Sequence, residues 1–224
     1  MFETFKEDMA CIRDRDPAAK SSWEIFLCYP GFKAIRAYRR AHKLYLKGHY
    51  LRARMISQRC AYKTGIEIHP GAKIGKRFFI DHGHGVVIGE TTEIGDDVTI
   101  YQGVTLGGTG KECGKRHPTI GNNVMIGAGA KLLGSFKVGD NTRIAAGSVV
   151  LSEVPPNSTA VGSPARVVRT KGHRVTDLDQ VHIPDPVRRE LRKLHKKVDH
   201  LSKQVEAMES EDTKEDIRTD KESQ

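Results

Sequence analysis

From residue 68 onward, aliphatic side chains return at every sixth position. Ile68, Ile74 and Ile80 form one run, Ile88, Ile94, Ile100 and Leu106 a second, and Ile120, Ile126, Leu132, Val138, Ile144 and Val150 a third. A beat of six matches neither the helical period nor the alternation of an ordinary strand. Glycine follows the aliphatic residue at 74, 88, 94, 106, 120, 126 and 138. Two positions before it stands a second inward candidate, often small or β-branched, as at Ala72, Val98, Val104, Val124, Ala130, Thr142 and Ser148. Such a chain is expected to coil as a parallel β-helix, each hexad supplying one short strand and one corner. The aliphatic residues fill the interior, and glycine or another small residue lets the chain turn. Stacked coils then bury a continuous column that no single repeat buries alone. A sandwich of ordinary strands with a chance period is the alternative, and thirteen phased positions argue against it.

Both flanks change texture. Residues 1–63 are expected to form three or four helices ahead of a β-helix domain at 64–168. Asp16-Pro17 reads as an N-cap with proline at the first helical position, and Ser21-x-x-Glu24 as a capping box. Val154-Pro155-Pro156 ends the hexads, Gly162-x-Pro164 marks an irregular exit, and a linker follows over 169–185. From Pro186, Val187, Leu191, Leu194, Val198, Leu201, Val205 and Met208 are spaced alternately four and three, which predicts an amphipathic heptad helix over 186–208. Its seam is expected to pack on another chain or on its own subunit. The tail, 209–224, holds seven acids, three bases and Ile217 as its one large apolar residue, a composition that predicts disorder.

Composition narrows the functional classes. Apolar residues make up 38% of the 224, and 22 glycines bring the total into the ~45–50% range usual for globular chains. No stretch approaches the ~18 apolar residues of a membrane helix. Met1-Phe2-Glu3-Thr4-Phe5-Lys6-Glu7-Asp8 carries acids where a signal peptide is basic and then apolar, so a cytoplasmic location is expected. Four cysteines without C-x-x-C spacing fit a reducing compartment. The net charge of +9 divides into −4 on the tail and about +13 on the remaining 208 residues. That excess fits nucleic acid, an acidic surface or a phosphorylated cofactor. Nucleic acid is not expected, because no base-stacking motif or zinc-finger spacing accompanies it and aromatics are only 6%.

The hexad ladder is broken twice, and each break contains histidine. Ile80-Asp81-His82-Gly83-His84-Gly85 adds two residues, and a longer insert, Gly107 to Thr119, ends in Arg116-His117-Pro118-Thr119. Insertions that leave a rigid scaffold commonly carry function. Glu67 precedes His82 by fifteen residues. With a coil of about eighteen residues it falls almost one turn below, within reach. A carboxylate behind an imidazole sets its tautomer and leaves the other nitrogen to accept a proton. Histidine, with an ordinary pKa near ~6.5, suits activation of a hydroxyl at neutral pH. Arg116 offers a fork for a carboxylate. Taken singly, His82 also reads as a corner residue, Glu67 as a solvated acid and Gly107-Gly108-Thr109-Gly110-Lys111 as a flexible loop base.

Together these strings resemble the hexapeptide-repeat acyltransferases and, within them, bacterial serine O-acetyltransferase. The resemblance is carried by Arg15-Asp16-Pro17-Ala18, by Ile68-His69-Pro70-Gly71-Ala72-Lys73-Ile74-Gly75 and by Asp81-His82 followed by Gly85-Val86-Val87-Ile88-Gly89-Glu90-Thr91. It continues through Val104-Thr105-Leu106-Gly107-Gly108-Thr109-Gly110-Lys111, Arg116-His117-Pro118 and Val154-Pro155-Pro156-Asn157-Ser158. It implies a mainly β fold, a left-handed parallel β-helix that trimerises, and transfer of acetyl from acetyl-CoA to the hydroxyl of L-serine for cysteine synthesis. It places His82 as general base with Glu67, where many members have Asp, as its partner. Asp16, Asp81, Arg116 and His117 fall at serine-binding positions. Gly108, Thr109, Ala128 and Ala146 fall along the CoA groove, with Arg143 where relatives have Lys and Ala145 in place of a common Gly. No tightly bound cofactor and no metal are implied, and the basic body has a use in CoA, a polyphosphate anion.

With fewer N-terminal helices than longer members, a homotrimer is expected in preference to a dimer of trimers. Enterobacterial and plant members end in an Ile that enters O-acetylserine sulfhydrylase. This chain ends Lys221-Glu222-Ser223-Gln224, so that complex is not expected. Three other readings stay open on the residues alone: a hexapeptide acetyltransferase for a sugar or antibiotic hydroxyl, a zinc enzyme of the carbonic anhydrase type using His82, His84 and His117, and a scaffold without activity.

Overall fold

The computed structural model describes residues 2–110, 113–168, 191 and 193–204. Four helices come first: α1 (Phe2–Arg15), α2 (Ser22–Cys28), α3 (Pro30–Leu46) and α4 (Tyr50–Thr64). A parallel β-helix of about five turns follows, with three faces. The first face stacks β1 (Ile66–Ile68), β4 (Val86–Ile88), β7 (Thr105–Gly107), β10 (Lys131–Leu133) and β13 (Val149–Val150). The second stacks β2 (Lys73–Ile74), β5 (Glu93–Ile94), β8 (Thr119–Ile120) and β11 (Lys137–Val138). The third stacks β3 (Phe79–Ile80), β6 (Thr99–Ile100), β9 (Met125–Ile126), β12 (Arg143–Ile144) and β14 (Thr159–Gly162), and closes with β15 (Ala165–Val168), which runs antiparallel to β14.

The register places the aliphatic ladder in columns. Ile68 lies on Ile88, Ile88 on Leu106, Leu106 on Leu132 and Leu132 on Val150. Ile74, Ile94, Ile120 and Val138 form a second column, and Ile80, Ile100, Ile126 and Ile144 a third. Most of these residues are at most 5% exposed and share one core with the second inward set, in which Thr142 and Ser148 are equally buried. Both ladder breaks leave this register intact. The columns continue across both corners.

The glycines after the aliphatic positions have a different reason from the one expected. They do not have the positive φ that eases a turn. A Cβ on Gly75, Gly95, Gly121, Gly127 or Gly139 would instead lie within 3.0 Å of backbone in the next coil. Close coil-to-coil approach therefore requires glycine there. Left-handed backbone falls on two other columns: Arg77, Asp97, Asn123, Asn141 and Asn157 at the corner between the second and third faces, and Gly85, Gly103, Gly129 and Gly147 at the corner between the third and first. Asn123 Nδ2 donates to Asn141 Oδ1 at 2.9 Å, and Asn141 Nδ2 to Asn157 Oδ1 at 3.2 Å, so side-chain amides bridge successive turns.

The helices cover the open first coil. Ala34, Ile35 and Tyr38 of α3 join the β-helix core against Ile66, Ile68, Phe78 and Ile80, and the Tyr38 hydroxyl donates to Ala72 O at 2.6 Å. Ser21 caps α2, accepting from Glu24 N at 3.1 Å, while the Glu24 carboxylate takes Lys20 N–H at 3.0 Å. Asp16-Pro17 departs from its expected role as a helix start. Asp16 Oδ1 accepts Ala18 N–H at 2.8 Å in a tight turn that ends α1, and α2 begins only at Ser22. An aspartate accepting from the residue two ahead competes with helix initiation.

Residues 185–224 form a separate unit. Within it the helix includes 191 and 193–204. Leu191, Leu194, Val198 and Leu201 are 56–59% exposed, so the described part of the heptad seam is unburied in the chain. Val187, Val205, Met208, the linker at 169–185 and the tail at 209–224 lie outside the described residues.

Candidate active site

The first ladder break forms the corner between the third and first faces. Asp81 follows β3 directly, and His82 adopts φ +56 with its side chain 76% exposed. Gly31 at the start of α3 packs so closely that a Cβ there would lie 2.2 Å from Ile80 O. This contact brings Tyr29 to the corner, where its hydroxyl donates to Asp16 Oδ2 at 2.6 Å. Asp16 is delivered by its neighbour: Arg15 Nη2 meets Asp97 Oδ1 at 2.8 Å, and Arg15 Nη1 donates to Thr99 Oγ1 at 2.9 Å. Two carboxylates and an exposed imidazole are thereby gathered. Burial pushes Asp81 above the usual carboxylate range, with nearby Asp16 adding to the rise and His82 opposing it. Burial, the hydrogen bond to Asp16 and the surrounding acids push the Tyr29 phenol up as well. Such a corner favours a bound cation.

The second break lies at the corner between the first and second faces. Arg116 Nη2 donates to Glu90 Oε2 at 2.5 Å, and Tyr45 OH donates to Glu90 Oε1 at 3.0 Å. The guanidinium holds Glu90 below its ordinary pKa. One arm of the Arg116 fork is therefore already engaged. His117 is 8% exposed, and its ring lies so close over Gly89 that a Cβ there would be 2.0 Å from Cδ2 and Nε2. Burial, then Arg116, lowers its pKa. The same is true of His69, through burial and then Arg54. This corner offers a cation and a neutral imidazole, a pair suited to a carboxylate.

These two groups do not meet within one chain. Asp16, Asp81 and His82 occupy one edge of the prism, and Arg116 and His117 another. The groove residues divide in the same way: Gly108 and Thr109 are exposed at the loop base, whereas Ala128 and exposed Ala146 lie on the edge of His82, with Arg143 in β12. Glu67 sits at the centre of β1, where its Oε1 accepts from Gln58 Nε2 at 3.4 Å. The carboxylate within 4 Å of the His82 ring is Asp81, whose Oδ1 lies 3.9 Å from Nε2. The expected Glu67–His82 contact is thus not made, because the inserted residues swing His82 outward. His82 and His84 share a corner that His117 does not, and among the described residues no three His, Cys, Asp or Glu side chains gather as a metal site.

Sequence reasoning missed Tyr29, Tyr45, Glu90 and Thr91 as parts of the site. Glu90 and Thr91 stand in the family-like string after Ile88-Gly89, but the sequence alone assigned them no role. Only the coil stacking sets them beside Arg116 and His117.

The model of the bacterial transferase hexapeptide, six repeats, matches residues 117–152, and that of the serine acetyltransferase N-terminal region matches 1–37. A serine acetyltransferase of Bacillus licheniformis is 54% identical over 212 residues, 94% of this chain and 98% of the relative. The serine acetyltransferase of Neisseria gonorrhoeae in complex with serine superposes with a TM-score of 0.72 at 45% identity, over 75% of this chain and 68% of that one. The Brucella abortus serine acetyltransferase in complex with coenzyme A gives 0.74 at 45% identity, over 76% and 68%. The ladder, the two histidine-bearing corners and this extent of identity establish that the chain belongs to the serine acetyltransferase family.

Proposed function

We propose that the protein transfers the acetyl group of acetyl-CoA to the hydroxyl of L-serine, giving O-acetyl-L-serine and CoA, at a site completed between two copies of the chain. One observation carries this reading: an acidic edge with an exposed imidazole and a separate edge bearing Arg116 and neutral His117. A zwitterionic amino acid with a side-chain hydroxyl needs all three features. Its ammonium sits at Asp16 and Asp81, and its carboxylate sits on the free arm of Arg116 and on His117. A homotrimer turns the acidic edge of one protomer towards the loop edge of the next.

His82 removes the hydroxyl proton as the oxygen attacks the thioester carbon, and N–H donors of the neighbouring loop stabilise the developing oxyanion. The exposed side chain of His82 is free to rotate towards Glu67, which then orients the ring. CoA thiolate leaves readily, because a thiol pKa near ~8.5 lies far below that of an alcohol. Gly108, Thr109, Ala128, Arg143 and Ala146 line the CoA path across the same junction, with no resident cofactor or metal. No helix among the described residues is long and apolar enough to cross a membrane.

The test combines a thiol-release assay, run with acetyl-CoA and L-serine, with complementation. His82→Ala and Arg116→Ala, each inactive alone, are expected to recover activity when co-expressed, because mixed trimers contain one junction with both residues intact. Inactivity of every mixture would place the whole site within one chain and overturn the shared-site reading. Absence of serine-dependent thiol release from the unmutated protein would overturn the activity itself.

A further inference from the structure

The hydroxyl of Thr91 has three neighbours at the loop corner. Arg116 N donates to Oγ1 at 3.0 Å and His117 N at 3.2 Å. Backbone N–H groups only donate, so these two occupy the hydroxyl's acceptor sites. Its one proton is left for the third neighbour, His117 Nδ1, at 2.8 Å. The backbone N–H of Thr91 is directed at the same Nδ1, at 3.2 Å. That nitrogen thus accepts from two donors and would lose both on taking a proton. A neutral imidazole carries a single N–H, which must then sit on Nε2. Among the described residues no group bonds to Nε2.

We infer that Thr91 is a positioning residue that holds His117 as the neutral Nε2–H tautomer, making it a permanent hydrogen-bond donor for the substrate carboxylate. The inference rests on the reading that Arg116 and His117 bind that carboxylate. The surroundings act mostly in the same direction. Arg116 and Lys115 oppose protonation as like charges, as does His69 when charged, and burial opposes it more strongly. Glu90 alone favours it. Lys115 is tied to the same turn, its Nζ donating to Thr91 O at 2.6 Å. The consequence is a division of labour between two imidazoles. His117, with Nδ1 occupied and Nε2 protonated, has no lone pair with which to take the serine proton, so His82 is the only base of the pair.

The test is nitrogen-detected NMR of the full-length protein labelled with ¹⁵N-histidine, with His117 assigned by the signals lost in His117→Gln. The expected result is an unprotonated Nδ1 and a protonated Nε2 that persist between about pH 8 and about pH 6. In Thr91→Val the tautomers should mix and His117 should titrate at higher pH, while KM for serine rises about 3- to 10-fold and KM for acetyl-CoA does not. Thr91→Ser should restore both behaviours. A proton on Nδ1 in the unmutated protein, or His117 signals in Thr91→Val identical to those of the parent, would overturn the inference. If the tautomer is locked but His117→Gln leaves KM for serine unchanged, Thr91 still sets the tautomer, and it is the carboxylate-binding reading of this corner that fails.

Discussion

Gly89 and His117 belong to successive coils and touch so closely that a β-carbon at residue 89 would lie 2.0 Å from two atoms of the imidazole. Gly89 does not adopt a left-handed backbone, so alanine is tolerated locally and the conflict falls on the ring. Gly89→Ala should therefore fold as a β-helix and displace His117. We expect kcat/KM for serine to fall roughly 10- to 100-fold, mainly through KM. Circular dichroism and steady-state kinetics check both halves, and an unchanged KM would show that His117 does not contact serine.

His82→Ala should retain assembly and acetyl-CoA binding but lose about 10²–10⁴-fold in turnover, the range for a general base. Glu67→Gln should be impaired less, because orientation is lost while the base remains. Full activity in Glu67→Gln would leave Asp81, 3.9 Å from His82 Nε2, as the carboxylate partner. Single-turnover rates with both variants decide between the two acids.

Asp81 links pH to both binding and stability, with a defined sign. Burial and Asp16 raise its pKa above the ordinary value. Serine binding through its ammonium should weaken on acidification from a higher pH than an ordinary carboxylate would produce. For folding, a raised acid pKa means that the native state binds this proton more tightly than the unfolded chain does. This contribution to stability is present at low pH and is lost as pH rises through the folded pKa. Asp81→Asn should accordingly raise KM for serine and also raise Tm at neutral pH; a lower Tm would contradict the cost of burying this carboxylate beside Asp16.

Tyr29→Phe removes the donor that holds Asp16 Oδ2 at 2.6 Å. The net value of such a bond, about 1 kcal/mol, corresponds to about a five-fold rise in KM for serine. KM for acetyl-CoA should not move. Equal effects on both substrates would assign Tyr29 to holding the helices rather than the site.

Arg39 bonds both oxygens of Asp8, at 3.0 and 3.1 Å, and Asp8 is 4% exposed. Arg39→Ala leaves that carboxylate buried without its cation and should cost about 3 kcal/mol. Urea denaturation at neutral pH measures this loss, and Asp8→Asn in the Arg39→Ala background, which removes the buried charge, should recover part of it.

The hexad ladder determined the fold because its information is local and repetitive. Each aliphatic residue has one inward direction, and thirteen of them in phase admit one way of burying all. The motif residues were legible for a related reason: insertions stand out against a fixed beat, and both contain histidine. The N-cap expected at Asp16 failed because the same side chain can close a turn, and only the tertiary contacts of Arg15 and Tyr29 selected that use. The glycines were legible as positions but not in their cause, which is the approach of the next coil and is not encoded within a single hexad. Glu90, Thr91, Tyr45 and Tyr29 were hidden because their partners are 13 to 45 residues away and become neighbours only through coil stacking and helix docking. The division of the candidate site between two edges is likewise a property of the closed prism. The linear order of Asp81, His82, Arg116 and His117 does not contain it, because an inserted loop of the same length can leave a coil at any corner, and the corner is set by which strand the ladder has reached.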